Sequence, residues 1–279
     1  MATQRLIRNE ANHRAILAAL KGNERLPYRI GSRLNESLWG KRLSMMWTRI
    51  GARPALLQVI ENRLELRGEE NLPRRSFILA ANHRTWFDLY AITIAFWPCY
   101  ADVPFLYCPV RSKFYYEGPL GVVLNLAVSG NAMYPPIFRD DRGAVLNQLA
   151  VESCTRLLDW SPRTIIGIHP EGRRNPAASP YEFLPPKPGI GYIAHDSRAP
   201  VVPAFVAGLP TDFRQIVRDR FRTHAEPIRV WIGAPVPLDD LCEGPATRMA
   251  AHAIADRTML AIQALGALDR TYMSARGDR

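Results

Sequence analysis

The sequence predicts an α/β domain with a mostly parallel central sheet flanked by helices, preceded by an N-terminal amphipathic helical segment. From residue 64 onward, short apolar runs of strand length alternate with helical stretches, which is typical of parallel sheets. Residues 1–53 differ from the rest, because they hold eleven Lys or Arg against three Glu and so carry +8 of the net charge of +10. We therefore expect a basic segment over residues 1–60 and one large domain over residues 61–279.

The basic segment contains two predicted helical stretches. The first covers residues 5–20, and the second follows Pro27. The second stretch has an apolar stripe at helical spacing, made of Trp39, Leu43, Met46, Trp47 and Ile50. Lys41, Arg42 and Arg49 lie away from this stripe, and such an arrangement is typical of a helix at a membrane interface. The alternative is a helix that packs the same stripe on the domain core.

The charge distribution favours an anionic membrane surface as a partner. The N-terminus lacks the continuous apolar stretch of a secretory signal, and the longest uncharged run, residues 118–138, contains Pro, Asn and Gly. We expect peripheral or monotopic association with the cytoplasmic face of a membrane, without a spanning helix. The rest of the chain is nearly neutral, which argues against nucleic-acid binding.

The large domain is predicted to contain five strands and two long helices. The strands are expected near residues 64–66, 76–81, 164–168, 201–206 and 228–232. The helices are expected over residues 141–160, with Asp140 or Asp141 as the N-cap, and over residues 246–270. The Pro-rich residues 176–188 are predicted to form a loop within the domain, because strand and helix alternation resumes directly after them.

A histidine and an aspartate follow the second predicted strand. His83 comes directly after the buried run, and Asp88 lies five residues later at the start of a helix. Ligands of α/β sheets gather at the carboxyl ends of strands. An aspartate there can accept a hydrogen bond from one imidazole nitrogen, so that the other nitrogen takes a proton from a hydroxyl. A histidine near an aspartate is, however, more often structural, so this spacing alone is a weak signal.

Two further strand ends carry basic residues. The run His169-Pro-Glu-Gly-Arg-Arg-Asn175 follows a predicted strand, and its arginines offer forked donors that suit phosphate. Arg139 also follows an apolar stretch. Any one of these side chains could simply be solvated, but several at comparable strand ends indicate a shared anionic ligand.

The histidines and cysteines give no metal-site pattern. The six histidines are scattered, and the four cysteines lie far apart without a Cys-x-x-Cys pair. We expect buried free thiols, no bound metal and no cofactor.

Four motifs together resemble a known family. Asn82 to Asp88 is similar to the Asn-His-x-x-x-x-Asp signature of the glycerolipid acyltransferases, which include the 1-acylglycerol-3-phosphate acyltransferases. Arg139, the run from His169 to Asn175, and Ala199-Pro-Val-Val-Pro203 resemble the second, third and fourth motifs in order. Lys187 with Gly189 also lies in a stretch similar to the family. The resemblance covers about residues 60–235.

This resemblance implies the family's fold and an acyl transfer to a hydroxyl. His83 would act as general base and Asp88 would orient it. The acyl donor would be acyl-CoA or an acyl carrier protein, as a co-substrate. The acceptor would be a lysophospholipid, in the first place 1-acylglycerol-3-phosphate, which gives phosphatidic acid. The residues that would bind it are Arg139, Glu171, Gly172, Arg173, Arg174 and Lys187.

Two residues depart from the family's third motif. His169 stands where the family usually has Phe, and Arg173 stands where it usually has Thr. These departures leave open a different acceptor, such as an amino-lipid, a glycolipid or a specialised metabolite. A non-catalytic membrane-binding homologue is a further alternative. His169 is a second candidate acid or base, although a hydrogen-bonded structural role is favoured for it.

Overall fold

The computed structural model describes residues 9–100, 105–160, 163–222 and 225–277. The chain forms two compact units, one of residues 1–54 and 103–166 and the other of residues 55–102 and 167–279. The predicted division of the chain at residue 60 stays a prediction.

Helices come first along the described chain, and strands and helices alternate after residue 64. The α-helices are α1 Glu10–Ala19, α2 Gly22–Asn35, α3 Leu38–Trp47, α4 Arg53–Ile60, α5 Asp88–Phe96, α6 Ser112–Tyr115, α7 Pro119–Ala127, α8 Gly143–Asp159, α9 Gly189–Ser197, α10 Phe213–Asp219 and α11 Arg248–Gly277. The strands are β1 Leu64–Arg67, β2 Phe77–Ala81, β3 Phe105–Tyr107, β4 Val110–Arg111, β5 Pro136–Ile137, β6 Thr164–Ile168, β7 Val201–Ala207 and β8 Ile228–Ile232. A short π-helix, Thr48–Ala52, follows α3.

The second unit is built on four strands in the order β1-β8-β7-β2. β1 is parallel to β8 and β2 is parallel to β7, whereas β7 and β8 are antiparallel. Every residue of β2 and β7 is buried, which explains why both read as uninterrupted apolar runs. Helices α5, α9 and α11 pack in this unit, and α11 lies along α9 and β7.

The first unit is largely helical. Its strands are short: β3 pairs in parallel with β6, and β4 pairs in parallel with β5. With the four strands of the second unit, these pairs confirm the predicted fold class of a mostly parallel sheet with flanking helices. Among the described residues, no helix is both long and apolar enough to cross a membrane.

The N-terminal stripe lies on the surface of the first unit. Each of its five side chains is exposed, from 47% for Trp47 to 79% for Trp39. The indole nitrogen of Trp47 donates a hydrogen bond to the carbonyl of Ala127 at 2.8 Å and so joins the end of α3 to α7. α7 adds exposed Leu120 and Val123. The structure therefore contradicts the alternative in which this stripe packs on the domain core.

Lys41 is not one of the exposed cations of α3. Its ammonium is buried, lies 3.7 Å from the ring centroid of Tyr107, and donates to Asn35 Oδ1 at 2.9 Å and to the carbonyl of Leu106. Burial lowers the pKa of Lys41 to about 7. Helical periodicity could not predict that Lys41 is buried, because a single buried cation does not interrupt the apolar stripe. Arg42 and Arg49 are exposed as expected.

Most predicted elements of the large domain are present. The predicted strands match β1, β2, β6, β7 and β8, and the two predicted helices match α8 and α11 within a few residues at most ends. Residues 176–188 form a loop, as predicted. The predicted N-cap of α8 was wrong, because the cap position is Arg142, which makes no side-chain capping bond. The four cysteines are free, as predicted, but the prediction that all are buried was wrong for Cys99, which is exposed.

Candidate active site

The catalytic candidates begin where β2 ends. Asn82 is buried, and its side-chain amide donates to the carbonyl of Val206 at 2.9 Å and accepts from the amide nitrogen of Val206 at 2.8 Å. These two side-chain bonds join the residue directly after β2 to the backbone of β7. His83 therefore leaves the sheet edge from a fixed position.

Asp88 closes the turn that contains His83. Its Oδ2 atom accepts from the amide nitrogens of Arg84 at 2.6 Å and Thr85 at 2.8 Å, and its Oδ1 atom accepts from the Thr85 hydroxyl at 2.9 Å. The side chain is 1% exposed. Burial has the largest effect on the pKa of Asp88 and raises it, whereas the neighbouring His169 imidazole and the Thr85 and Arg84 donors act in the opposite direction.

His83 and Asp88 form the predicted dyad. The Nδ1 atom of His83 lies 3.1 Å from Asp88 Oδ2. Because a carboxylate only accepts hydrogen bonds, this contact assigns the ring proton to Nδ1 and leaves a lone pair on Nε2. The His83 side chain is 19% exposed, so a substrate has access to it. This is the protonation state that a general base requires.

His169 stacks on the imidazole of His83. The ring centroids are 3.8 Å apart and the ring planes differ by 6°. The Nδ1 atom of His169 lies 3.0 Å from the carbonyl oxygen of Ala81, to which it donates. Burial, reinforced by the neighbouring His83, lowers the pKa of His169 to about 3. His169 is therefore neutral at neutral pH, and the structure favours the predicted hydrogen-bonded structural role over that of an acid.

The same three side chains lie close enough together to raise the question of a metal site. Candidate ligand atoms of His83, Asp88 and His169 lie within 4.8 Å of one another. However, stacked imidazoles direct their ring lone pairs in parallel and not toward one point, and His83 Nδ1 is bonded to Asp88. This arrangement fits a metal poorly. The absence of a metal stays a prediction.

Glu171 is buried beside the catalytic histidine. Its Oε1 atom accepts from the amide nitrogen of His83 at 2.9 Å, and its Oε2 atom accepts from the amide nitrogen of Leu184 at 3.0 Å. The residue is 1% exposed. Burial raises its pKa most strongly, and the two amide donors oppose that rise. The predicted role of Glu171 in acceptor binding stays a prediction.

The basic residues of the third motif surround a tight turn. Gly172 has a φ of +67°, and an added Cβ atom would lie 3.1 Å from Lys187 Cγ. Arg173, Arg174 and Lys187 are exposed, and the Arg174 guanidinium lies 4.4 Å from the ring centroid of Trp86. This turn is next to the dyad, because Asn175 donates its amide hydrogen to the carbonyl of His83 at 2.7 Å.

Arg139 belongs to the first unit, where it follows β5 and is exposed. The dyad, Glu171, Gly172, Arg173, Arg174 and Lys187 all belong to the second unit. The contribution of Arg139 to acceptor binding stays a prediction.

A cavity of about 450 Å³ opens beside Asp88 in the second unit. Its wall includes Arg84 and Asp88, the carboxyl end of β7 at Val206, and Arg222. The Nη2 atom of Arg84 donates to the carbonyls of Ala177 and Ala178, whereas its Nη1 atom is buried without a hydrogen-bond partner among the described residues. Arg84 stands at a variable position of the first motif, so the motif predicted no role for it. Its position directly after His83 was the feature of the sequence that could have indicated a place in the site.

The comparisons with known proteins identify the family of the chain. Residues 63–207, slightly more than half of the chain, match the family model described as Acyltransferase. The chain therefore belongs to the acyltransferase family, and the family expected from the motifs is confirmed. Among solved structures it resembles the 1-acyl-sn-glycerophosphate (LPA) acyltransferase PlsC from Thermotoga maritima, at 17% identity and a TM-score of 0.46 over 93% of this chain and 88% of that one. No curated protein matches the chain.

Proposed function

We propose that this acyltransferase moves a fatty acyl group from acyl-CoA or acyl carrier protein to a hydroxyl of a lysophospholipid, with 1-acylglycerol-3-phosphate as the acceptor and phosphatidic acid as the product. The observation that carries the proposal is the hydrogen bond from His83 Nδ1 to buried Asp88 in a chain of the acyltransferase family. It leaves His83 Nε2 able to accept a proton.

The proposed reaction uses His83 twice. Its Nε2 atom removes the proton of the acceptor hydroxyl while the hydroxyl oxygen bonds to the thioester carbonyl carbon. When the tetrahedral intermediate collapses, the carbon–sulfur bond breaks and the thiolate takes the same proton from Nε2. Asp88 stabilises the imidazolium between these steps. His169, neutral at neutral pH, has no proton to supply from a charged form.

A transfer assay tests this proposal. Purified protein and labelled palmitoyl-CoA would be offered 1-acylglycerol-3-phosphate beside other lysolipids and amino-lipids. We expect the labelled acyl group to appear in phosphatidic acid. Preference for another acceptor would connect the departures at His169 and Arg173 with acceptor choice. Without transfer from either CoA or carrier protein, the non-catalytic alternative would replace the proposal.

Arg174 is proposed to bind the acceptor phosphate through its exposed guanidinium. Replacing Arg174 with alanine is expected to raise the acceptor KM roughly tenfold or more, since a bond to a charged group contributes about 1.5–3 kcal/mol. The donor KM should change less than twofold. Steady-state kinetics with each substrate varied in turn measures both values.

Arg248→Ala is the matched control, because Arg248 is an exposed arginine at the start of α11. Equal increases in both KM values for Arg174→Ala would argue against acceptor binding.

We also propose that the exposed stripe of α3 and the π-helix, with Leu120 and Val123 of α7, contacts an anionic membrane. Seven large apolar side chains of the first unit are exposed there, and Arg42 and Arg49 are exposed on the same helical stretch. Large apolar residues joined to cations are typical of an interfacial helix. The net charge of +8 over residues 1–53 suits an anionic surface.

Replacing Trp39 and Ile50 together with serine is expected to weaken binding to anionic vesicles by roughly tenfold or more, because burial of each side chain contributes about 1.5–3 kcal/mol. Vesicle co-sedimentation at two salt concentrations measures this change. The matched control is the double replacement of Met249 and Leu260 with serine, since both are exposed on α11. Equal binding of the two double variants to the vesicles would show that the stripe does not contact the membrane.

A further inference from the structure

The backbone of the catalytic histidine is held on both sides by the third motif. The amide hydrogen of His83 is donated to Glu171 Oε1 at 2.9 Å, and the carbonyl of His83 accepts from the amide nitrogen of Asn175 at 2.7 Å. The ring of His83 is stacked on His169. Residues 169–175 therefore hold His83 at its backbone amide, at its backbone carbonyl and at its ring.

The second oxygen of Glu171 reaches a different segment. Oε2 accepts from the amide nitrogen of Leu184 in the 176–188 loop. This loop is also held by a hydrogen bond from the side-chain amide of Asn175 to the carbonyl of Glu182 at 2.6 Å. Three residues after Leu184, the amide nitrogen of Lys187 donates to the carbonyl of Pro170 at 2.8 Å. One buried carboxylate therefore connects the catalytic residue with the loop that carries Lys187.

Glu171 is poorly placed to bind the acceptor directly. Each of its oxygens already accepts a backbone hydrogen bond, and the residue is 1% exposed. A negative carboxylate would also repel the acceptor phosphate. Removing it would instead leave two amide donors without their partner, one of them on His83 itself.

We propose that Glu171 is a positioning residue that holds His83 in line with Asp88 and ties the 176–188 loop to it, and that it does not bind the acceptor. This inference rests on the proposed acyl transfer for its kinetic test only. A displacement of about 1 Å in a catalytic group lowers turnover by as much as 10²-fold.

The variant Glu171→Gln keeps the size of the side chain and replaces one accepting oxygen with a donating NH₂ group, which faces an amide donor. We expect kcat to fall by roughly ten- to one-hundred-fold while the KM values of acceptor and donor stay within about twofold. Glu182→Gln is the matched control, because Glu182 is an exposed glutamate of the same loop. Its kcat should remain that of the wild type.

A higher acceptor KM with unchanged kcat would overturn the proposal in favour of acceptor binding, and unchanged kinetics would also overturn it. Far-UV circular dichroism would establish that Glu171→Gln is folded. If Glu171→Gln is not folded, Glu171→Asp is measured in its place, since aspartate keeps the charge but is too short to reach both amides. A higher acceptor KM with unchanged kcat, or unchanged kinetics, would overturn the proposal for this variant too.

An activity-independent measurement separates this inference from the proposed function. In protein labelled with ¹⁵N-histidine, the ring signals of His83 are assigned by their loss in His83→Gln. We expect these signals to move in Glu171→Gln and to stay in place in Glu182→Gln. Unmoved His83 signals would overturn the positioning role whether or not the wild type transfers an acyl group; moved signals with an inactive wild type would overturn only the proposed function.

Discussion

Replacing His83 with alanine is expected to lower kcat by roughly 10²–10⁴-fold, the range that a positioned general base contributes. The substitution removes the Nε2 lone pair that the bond from Nδ1 to Asp88 makes available. It leaves the Asp88 carboxylate with its donors from Arg84 and Thr85. The turn should therefore keep its shape, and the loss should lie in turnover and not in either KM value.

The measurement compares single-turnover acyl transfer by the wild type and by His83→Ala at equal folded concentration. The matched control is His252→Ala, since His252 is a partly exposed histidine of α11. Turnover by His83→Ala above about a tenth of the wild-type rate would contradict the general-base role, because the smallest expected loss is about a hundredfold.

The dyad could be predicted from the sequence because its residues match the Asn-His-x-x-x-x-Asp signature, and its geometry is local. His83 and Asp88 lie within one strand-to-helix turn, and the carboxylate folds back on the amides of Arg84 and Thr85. Five residues of such a turn leave few alternatives for the carboxylate. The same locality explains the success with β2 and β7, whose apolar runs follow directly from burial on both faces.

The supporting contacts of Asn82 and Glu171 could not be predicted, although motifs contain both residues, because their partners are distant in sequence. Glu171 binds an amide 88 residues earlier, and Asn82 binds Val206, 124 residues later. No spacing pattern records such pairs. The strands β3, β4 and β5, of three, two and two residues, are also too short for an alternating pattern.

Periodicity alone also left the environment of the N-terminal stripe undecided. Trp39 and Ile50 would recur at the same helical spacing on a buried face and on an exposed one. The structure places both on the surface, with 79% and 65% of each residue exposed. Lys41, which lies on the same helix as Trp39, is fully buried instead. A helical pattern therefore identifies a face, and only tertiary structure determines what the face contacts.

Replacing Asp269 with alanine is expected to lower the free energy of unfolding by about 3–5 kcal/mol, because it removes the buried partner of Arg229 and leaves only the exposed carboxylate of Glu226 beside that arginine among the described residues. Asp269 lies on α11 and is fully buried. Its Oδ1 atom accepts from Arg229 Nε and from Trp231 Nε1, both at 2.8 Å. Its Oδ2 atom accepts from Arg229 Nη2 at 3.1 Å and from the Tyr181 hydroxyl at 2.9 Å.

The loss in free energy of unfolding should be smaller when the charge on Arg229 is removed as well. Arg229 is 2% exposed on β8, so the double variant Asp269→Leu/Arg229→Met replaces a buried ion pair with apolar side chains of comparable length. Urea unfolding followed by circular dichroism should give the double variant a higher midpoint than Asp269→Ala. A double variant no more stable than the single one would show that the loss of stability does not come from the loss of Asp269 as the buried partner of Arg229.

The same carboxylate should also affect the active site, because Tyr181 belongs to the loop that Glu171 holds at Leu184. In Asp269→Ala the hydroxyl of Tyr181 loses its acceptor, and with it the hydrogen bond that joins this loop to α11. We therefore expect acyl transfer by Asp269→Ala to fail at a temperature below its unfolding midpoint, whereas in the wild type activity and structure should be lost together. Stability and catalysis should be linked through the 176–188 loop, because two buried carboxylates hold it at Tyr181 and at Leu184.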